Sequence, residues 1–556
     1  MLSLGTVKLL RASQLTGEEQ SRLLAAAERL FLAIRSDAVG VPAYHLGLAQ
    51  VYYRLGKTAE GETEFGALLA KKEPEQDLAV ARAYREVGAI TRAREVTQAV
   101  HDRAGSPLRE SAAMLMSLMA DTQDDRRTWL TRSDQNSDMV RTSLLELEAD
   151  SACSSGQIQD GDSKYREVAR RHLEGSALDE SNFNNAALAH AARVACSGQH
   201  AALDEALQLM QRALRIAPDS SLLAQNASPL HEYRAALRAL SRWLEPSALH
   251  LDPSDAETLL DALAAGPHRE ELLGLLKQDA DVKRARELSR GARVLAPSRP
   301  EPYLAEVSWL QRFDDGPGLS AMLSSLRAQK LDTGPLVVAR QQWLDGKLDK
   351  TRRERMHKEE AKLARIAATL PASQKASLAA LRYLEGELVT GLLMLDEPLP
   401  RAEQAVRAFG EAHELWPAIG AQRRHGQALL VSAAVRASVS LPALATRLQK
   451  DMREYGLQLT FCRLIDEGDA SILGAITTQP EFARALEIAR STSGERPGMW
   501  DWVMARLAGD TASAEKVAGS VFDEEARQGT LLGQLLTPGN AADAYVTFTE
   551  RHTPKP

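Results

Sequence analysis

Apolar residues recur at helical rather than strand spacing along most of this chain. The stretch SRLLAAAERLFLAI at 21–34 is a plain amphipathic example. A more particular pattern is Ala206, Met210, Ala213 and Pro218, with steps of four, three and five. It recurs with the same offsets at Ala285, Ser289, Ala292 and Pro297, and at Ala405, Phe409, Ala412 and Pro417. Steps of four and three put the first three residues on one helical face. Alanine at two of them lets a neighbouring helix approach closely. Proline then ends the helix, because it cannot donate to the ladder and restrains the residue before it.

A second signature marks reversals. Gly56 is followed by Gly61, Phe65 and Leu68, and Gly156 by Gly161, Tyr165 and Val168. Gly88, Ala93, Thr97 and Val100 repeat the offsets, and Gly509, Ala514, Ala518 and Val521 form a weaker copy. A glycine suits the left-handed residue that closes a helix before it turns back. The small residue five places later opens the second helix where it crosses the first.

Together these segments resemble tetratricopeptide repeats, whose unit of about 34 residues is helix, turn, helix. Leu48, Ala49, Tyr52, Gly56, Gly61, Phe65 and Leu68 fall on that family's signature positions, and Pro74 lies one place late. About half the chain carries recognisable copies. The resemblance implies an all-α fold, an α-solenoid of antiparallel helical hairpins wound into a right-handed superhelix. Other α-solenoids remain the nearer rival towards the C-terminus.

The pattern divides the chain into leading helices over 1–41, a dense TPR-like solenoid over 42–244, diverged repeats over 258–420 and a C-terminal helical capping region over 421–556. A stretch rich in Pro, Asp and Ser at 245–257 reads as a linker. The segment 346–370 reads as one charged helix. Its Lys and Arg alternate with Glu354, Glu359 and Glu360, which predicts a solvent-exposed helix held by its own ion pairs. The nearest strand candidates, 457–465 and 544–552, each fit a helix too.

Composition adds a few constraints. Hydrophobic residues make up 44% but aromatics only 5%, so the core must be mostly Ala, Leu and Val. A net charge of −7 gives no hint of the basic stripe that nucleic-acid binders carry. No apolar run approaches the length of a membrane span. Neither nucleic acid nor membrane is an expected partner. Cys153, Cys196 and Cys462 stand far apart and are expected as free core thiols, which points to a reducing compartment and a cytoplasmic location.

No chemistry stands out. The twelve histidines form no HExxH, so a zinc site has no support. Gly56-Lys57-Thr58 lacks the earlier glycine and preceding strand of a phosphate loop. Asp160 and Asp162 would begin a calcium loop, but Tyr165 stands where its glycine is due. The expectation is a non-enzyme with no catalytic residue, metal or cofactor.

The resemblance implies a protein–protein interaction scaffold that holds partner peptides or helices in a concave groove. Family positions lining that groove fall on Gln50, Tyr53 and Arg54, then on Arg82, Arg85 and Glu86, with Glu146 and Asp150 giving an acidic stretch further on. The Lys and Asn that clamp a chaperone's terminal carboxylate are replaced by Leu46 and Gln50, which argues against that partner. The alternative is a sensory or regulatory arm controlling a separately encoded effector, such as a protease or transcription regulator.

Overall fold

The computed structural model describes residues 1–13, 17–174, 178–297, 299–313, 315–327, 340–492 and 498–518. Among these the regular structure is entirely helical: α-helices throughout, with one 3₁₀ turn at Pro417–Ile419. The strand candidate at 457–465 is helix Leu457–Glu467, while 544–552 lies outside the described residues.

The helices run as successive antiparallel hairpins. Pro42–Arg54 pairs with Thr58–Leu69, Pro74–Glu86 with Ile90–Arg103, Asp138–Ser154 with Ile158–His172, and Glu180–Ser197 with Ala201–Ile216. The turn glycines act as their offsets predict. Gly56 has φ 76°; its N–H donates to Tyr53 O at 3.1 Å, and Lys57 N–H donates to Tyr52 O at 2.9 Å. That pair of bonds satisfies carbonyls that a helix end would otherwise leave open. Gly88, Gly156 and Gly509 close their helices with the same two bonds. At the small position of the first turn, a side chain on Gly61 would come within 2.5 Å of the Tyr53 ring and 3.3 Å of Ala49 O. Only glycine lets these helices cross so closely.

The alanine pattern marks buried contacts. Ala206, Ala213, Ala285 and Ala292 are each 0% exposed, and Ala405 and Ala412 are likewise buried. Their helices end at Ile216, Leu295 and Leu415, two residues before each proline. One long core runs from Val168 to Ala428, and a second, from Leu393 to Ala518, fills the C-terminal part. The stretch 245–257 is built into the first of these. Leu249, Leu251 and Ala256 are buried in it, so the segment folds as core rather than as a solvated connection.

Two expectations are corrected. Helix Asp349–Thr369 is no free-standing charged helix: Leu363 is 4% exposed, and Lys362 is enclosed between Asp255 and Glu359. The cysteines are not all thiols. Cys153 and Cys196 form a disulfide with Cα atoms 5.3 Å apart, and Cys462 is buried outside it. The two are 43 residues apart in sequence, but each lies near the end of its hairpin's first helix. Both sulfurs sit over Gly161, whose missing side chain leaves them room. The cysteine-based argument for a reducing compartment falls with this pairing.

Candidate functional site

The first helices Pro42–Arg54 and Pro74–Glu86 lie against one another. Gln50 Nε2 donates to Glu86 Oε2 at 2.8 Å, and an Arg54 guanidinium N–H reaches Glu86 O at 3.5 Å. Arg82 is exposed and Arg85 half-buried on the same helix as Glu86. Among the described residues neither of these two side chains has a hydrogen-bond or ion-pair partner. Arginines close by are paired: Arg92 holds Glu95 at 2.6 Å, and Arg94 holds Asp121 at 2.6 Å. Arg54, Arg82 and Arg85 therefore give this face a net cationic character that Glu86, held through the neutral amide of Gln50, offsets only in part.

Tyr53 turns inward. Its ring lies 5.7 Å from Phe65 and 5.9 Å from Tyr84, and its hydroxyl donates to Glu62. Burial, followed by that bond to a carboxylate, holds the phenol well above its ordinary pKa. Burial works against ionising Glu62 as well, but hydrogen bonds from Tyr53, Tyr84 and Arg92 outweigh it and keep the carboxyl below its usual range. Tyr53 thus packs the hairpin and leaves the exposed face to its neighbours.

Glu146 and Asp150 stand elsewhere, on helix Asp138–Ser154. Glu146 pairs with Arg126 at 3.2 Å. Asp150 accepts from the Tyr165 hydroxyl and from Gln123 Nε2 at 3.1 Å, and burial pushes its carboxyl above the usual range. The acidic stretch is therefore satisfied within the chain.

Beside it runs the helix Asp349–Thr369. On its far side Arg353 and His357 reach Asp396 at 3.1 and 3.2 Å, and Glu360 accepts from Arg401 at 2.7 Å and Gln404 at 2.9 Å. On its near side Lys358 donates to Gln123 at 3.3 Å, and Lys362 pairs with Asp255 at 3.3 Å and Glu359 at 2.8 Å. Burial lowers the Lys362 ammonium pKa, but the two carboxylates outweigh it and the net shift is upward. Burial raises the Asp255 carboxyl. A cavity of about 510 Å³ remains between this helix and helix Asp138–Ser154, walled by Asp150, Tyr165, the disulfide, His250 and Arg365. Sequence reasoning missed it, because its walls come from residues as distant in the chain as Asp150 and Arg365.

Among the described residues no group of His, Cys, Asp and Glu is placed to hold a metal ion, and no helix is long and apolar enough to cross a membrane. No family model and no curated protein matches the chain. Solved structures do. The human IFIT1 dimer with m7Gppp-AAAA is 16% identical, covering 76% of this chain and 88% of that chain with a TM-score of 0.34. Yeast Tom70 is 14% identical over 93% of this chain and 96% of that chain, with a TM-score of 0.21. The APC/C hetero-tetramer Cut9–Hcn1 is 10% identical over 88% and 93%, with a TM-score of 0.26. The hairpins, turn glycines and alanine crossings of this chain define its class by themselves: it is an all-helical solenoid of antiparallel hairpins that resembles the tetratricopeptide type.

Proposed function

We propose that the chain is a protein-interaction scaffold whose N-terminal first-helix face, between Gln50 and Glu86, holds an acidic segment of a partner protein. The observation that carries this reading is the pair Arg82 and Arg85, which among the described residues have no acidic ion-pair partner, while Arg92 and Arg94 close by do. A net positive charge on this face speeds the encounter with an oppositely charged partner and helps to select its register. The Gln50–Glu86 hydrogen bond ties the two helices together on this face, which limits the ordering needed when a segment docks. Glu146 and Asp150 are already committed within the chain, which narrows the partner to an acidic segment rather than one charged oppositely at its two ends. On this reading the chain catalyses nothing itself.

The test is a low-salt pull-down from nuclease-treated lysate with the full chain and with Arg82→Glu, Arg85→Glu. The double variant should lose partners that the wild type retains. If both proteins retain the same partners, the face is not the binding site. If the wild-type partners vanish on nuclease treatment alone, the ligand is nucleic acid.

A further inference from the structure

We propose that the cavity between helices Asp138–Ser154 and Asp349–Thr369 binds a small amphiphilic anion, a carboxylate on an apolar body, with Arg365 receiving the carboxylate. The charges of its walls leave this role open. Three acids line the cavity, and each is engaged. Asp150 accepts from Tyr165 and Gln123, Asp252 caps its helix by accepting from Asp255 N–H at 2.8 Å, and Glu359 holds Lys362 at 2.8 Å. The same helix presents Lys358, Lys362 and Arg365, spaced four and three apart and so on one face. Lys362 is committed to acids, and Lys358 touches only the neutral amide of Gln123. Arg365 is half-buried and, among the described residues, its side chain has no hydrogen-bond or ion-pair partner.

A half-buried guanidinium without an acceptor is costly unless something else supplies one. Arg365 lies over the Gly156 turn: its Nε is 3.2 Å from where a side chain on that left-handed glycine would begin, so the glycine gives it room. Its planar fork matches a carboxylate with two parallel hydrogen bonds. The remaining surface is largely apolar, formed by the disulfide, Ile158, Ala192 and Ile366. A cavity of about 510 Å³ suits a small organic ligand, with few polar groups fixing its orientation. Asp150 and Glu359 in the walls would repel a dianion, so the head group is a monoanion.

Sodium octanoate is the probe, titrated calorimetrically into the full chain, with acetate and octylamine as controls. One octanoate should bind per chain, while acetate, which lacks the apolar body, and octylamine, which reverses the charge, bind far more weakly. Arg365→Gln should weaken octanoate by about ten-fold or more, the worth of one charged hydrogen-bonding pair. Ala248→Leu, which keeps the arginine and adds bulk to the lining, should weaken it as well. Absence of heat at millimolar octanoate would overturn the proposal. So would equal binding of octylamine or acetate, or octanoate binding unchanged in both variants while circular dichroism reports them folded.

Discussion

Two pairs of neighbouring first helices in this molecule meet with opposite chemistry. Between Pro42–Arg54 and Pro74–Glu86 the polar link is the Gln50–Glu86 hydrogen bond with the long Arg54 contact, and among the described residues Arg82 and Arg85 have no ion-pair partner. The Asp138–Ser154 and Glu180–Ser197 hairpins are closed covalently by Cys153–Cys196. Arg193 there, 5% exposed, holds Asp162 at 3.0 Å and Glu205 at 3.2 Å. The backbone device is the same in both, a left-handed glycine followed five places on by a second glycine. The repeat signature therefore sets where helices stand, and a separate set of residues decides whether the space between them is sealed. The sealed pair can serve as a strut; the unsealed pair keeps its charges for something outside the chain.

Breaking the seal should have the largest effect. A disulfide closing a loop of 43 residues contributes about 4 kcal/mol on a chain-entropy estimate, so Cys153→Ser with Cys196→Ser should open this region first on heating. Hydrogen exchange should rise across 138–197 and stay unchanged across 42–86. Before reduction, alkylation in denaturant should label one thiol, Cys462; three labelled thiols would show that the bridge is not made.

Next comes the ionic seal deeper in the solenoid. Asp281 is buried and binds Arg234 at 2.7 Å, His231 at 2.5 Å and Arg238. Burial opposes its charge, but those three donors outweigh it and hold the carboxyl far below the usual range. Removing a buried partner strands the others, though Arg234 and Arg238 keep some access to water, so Asp281→Ala should cost about 2–3 kcal/mol. Because the folded pKa is depressed, this stability is present above the ordinary carboxylate pKa and drains as pH falls below it. The gap in melting temperature between wild type and Asp281→Asn should hold at neutral pH and narrow below about pH 4. A gap that widens on acidification would reverse the assignment.

A packing change tests the shared backbone device. Ala213 is 0% exposed at a helix crossing, and Ala213→Leu should overpack it by about 1–3 kcal/mol. A melt matching wild type would mean the crossing lies elsewhere.

What could be read from the sequence follows from range. The turn glycines, crossing alanines and terminal prolines act within a few residues of themselves, so their offsets carried the hairpins. Arg234 meets Asp281 across 47 positions, and Cys153 meets Cys196 across 43. Nothing local marks such a partner, and the stacking that brings the pair together depends on hairpin lengths that the diverged repeats obscure. Family position puts Tyr53 in the lining of the concave groove. The hole at Gly61 and the acceptor on Glu62 draw it inward, and the glycine was a visible signal for that. The helix 349–369 was legible as a helix, but its exposure was misread, because alternating charges look the same whether their partners are water or the other half of the chain.

The smallest effect on stability is expected where the comparison matters most. Arg82 and Arg85 have no partner to strand among the described residues, so Arg82→Glu, Arg85→Glu should change stability by no more than about 0.5 kcal/mol. Arg193→Glu, by contrast, would set a new acid beside Asp162 and Glu205 and should lower the melting temperature. If Arg82 and Arg85 serve a partner, the double variant should lose that partner while melting like wild type. Wild-type binding should itself weaken as salt rises, since exposed charges are screened beyond a Debye length of about 10 Å at 0.1 M. Binding that survives high salt but disappears in the double variant would indicate an apolar contact disturbed indirectly, and a double variant that melts early would mean that these arginines belong to the fold after all.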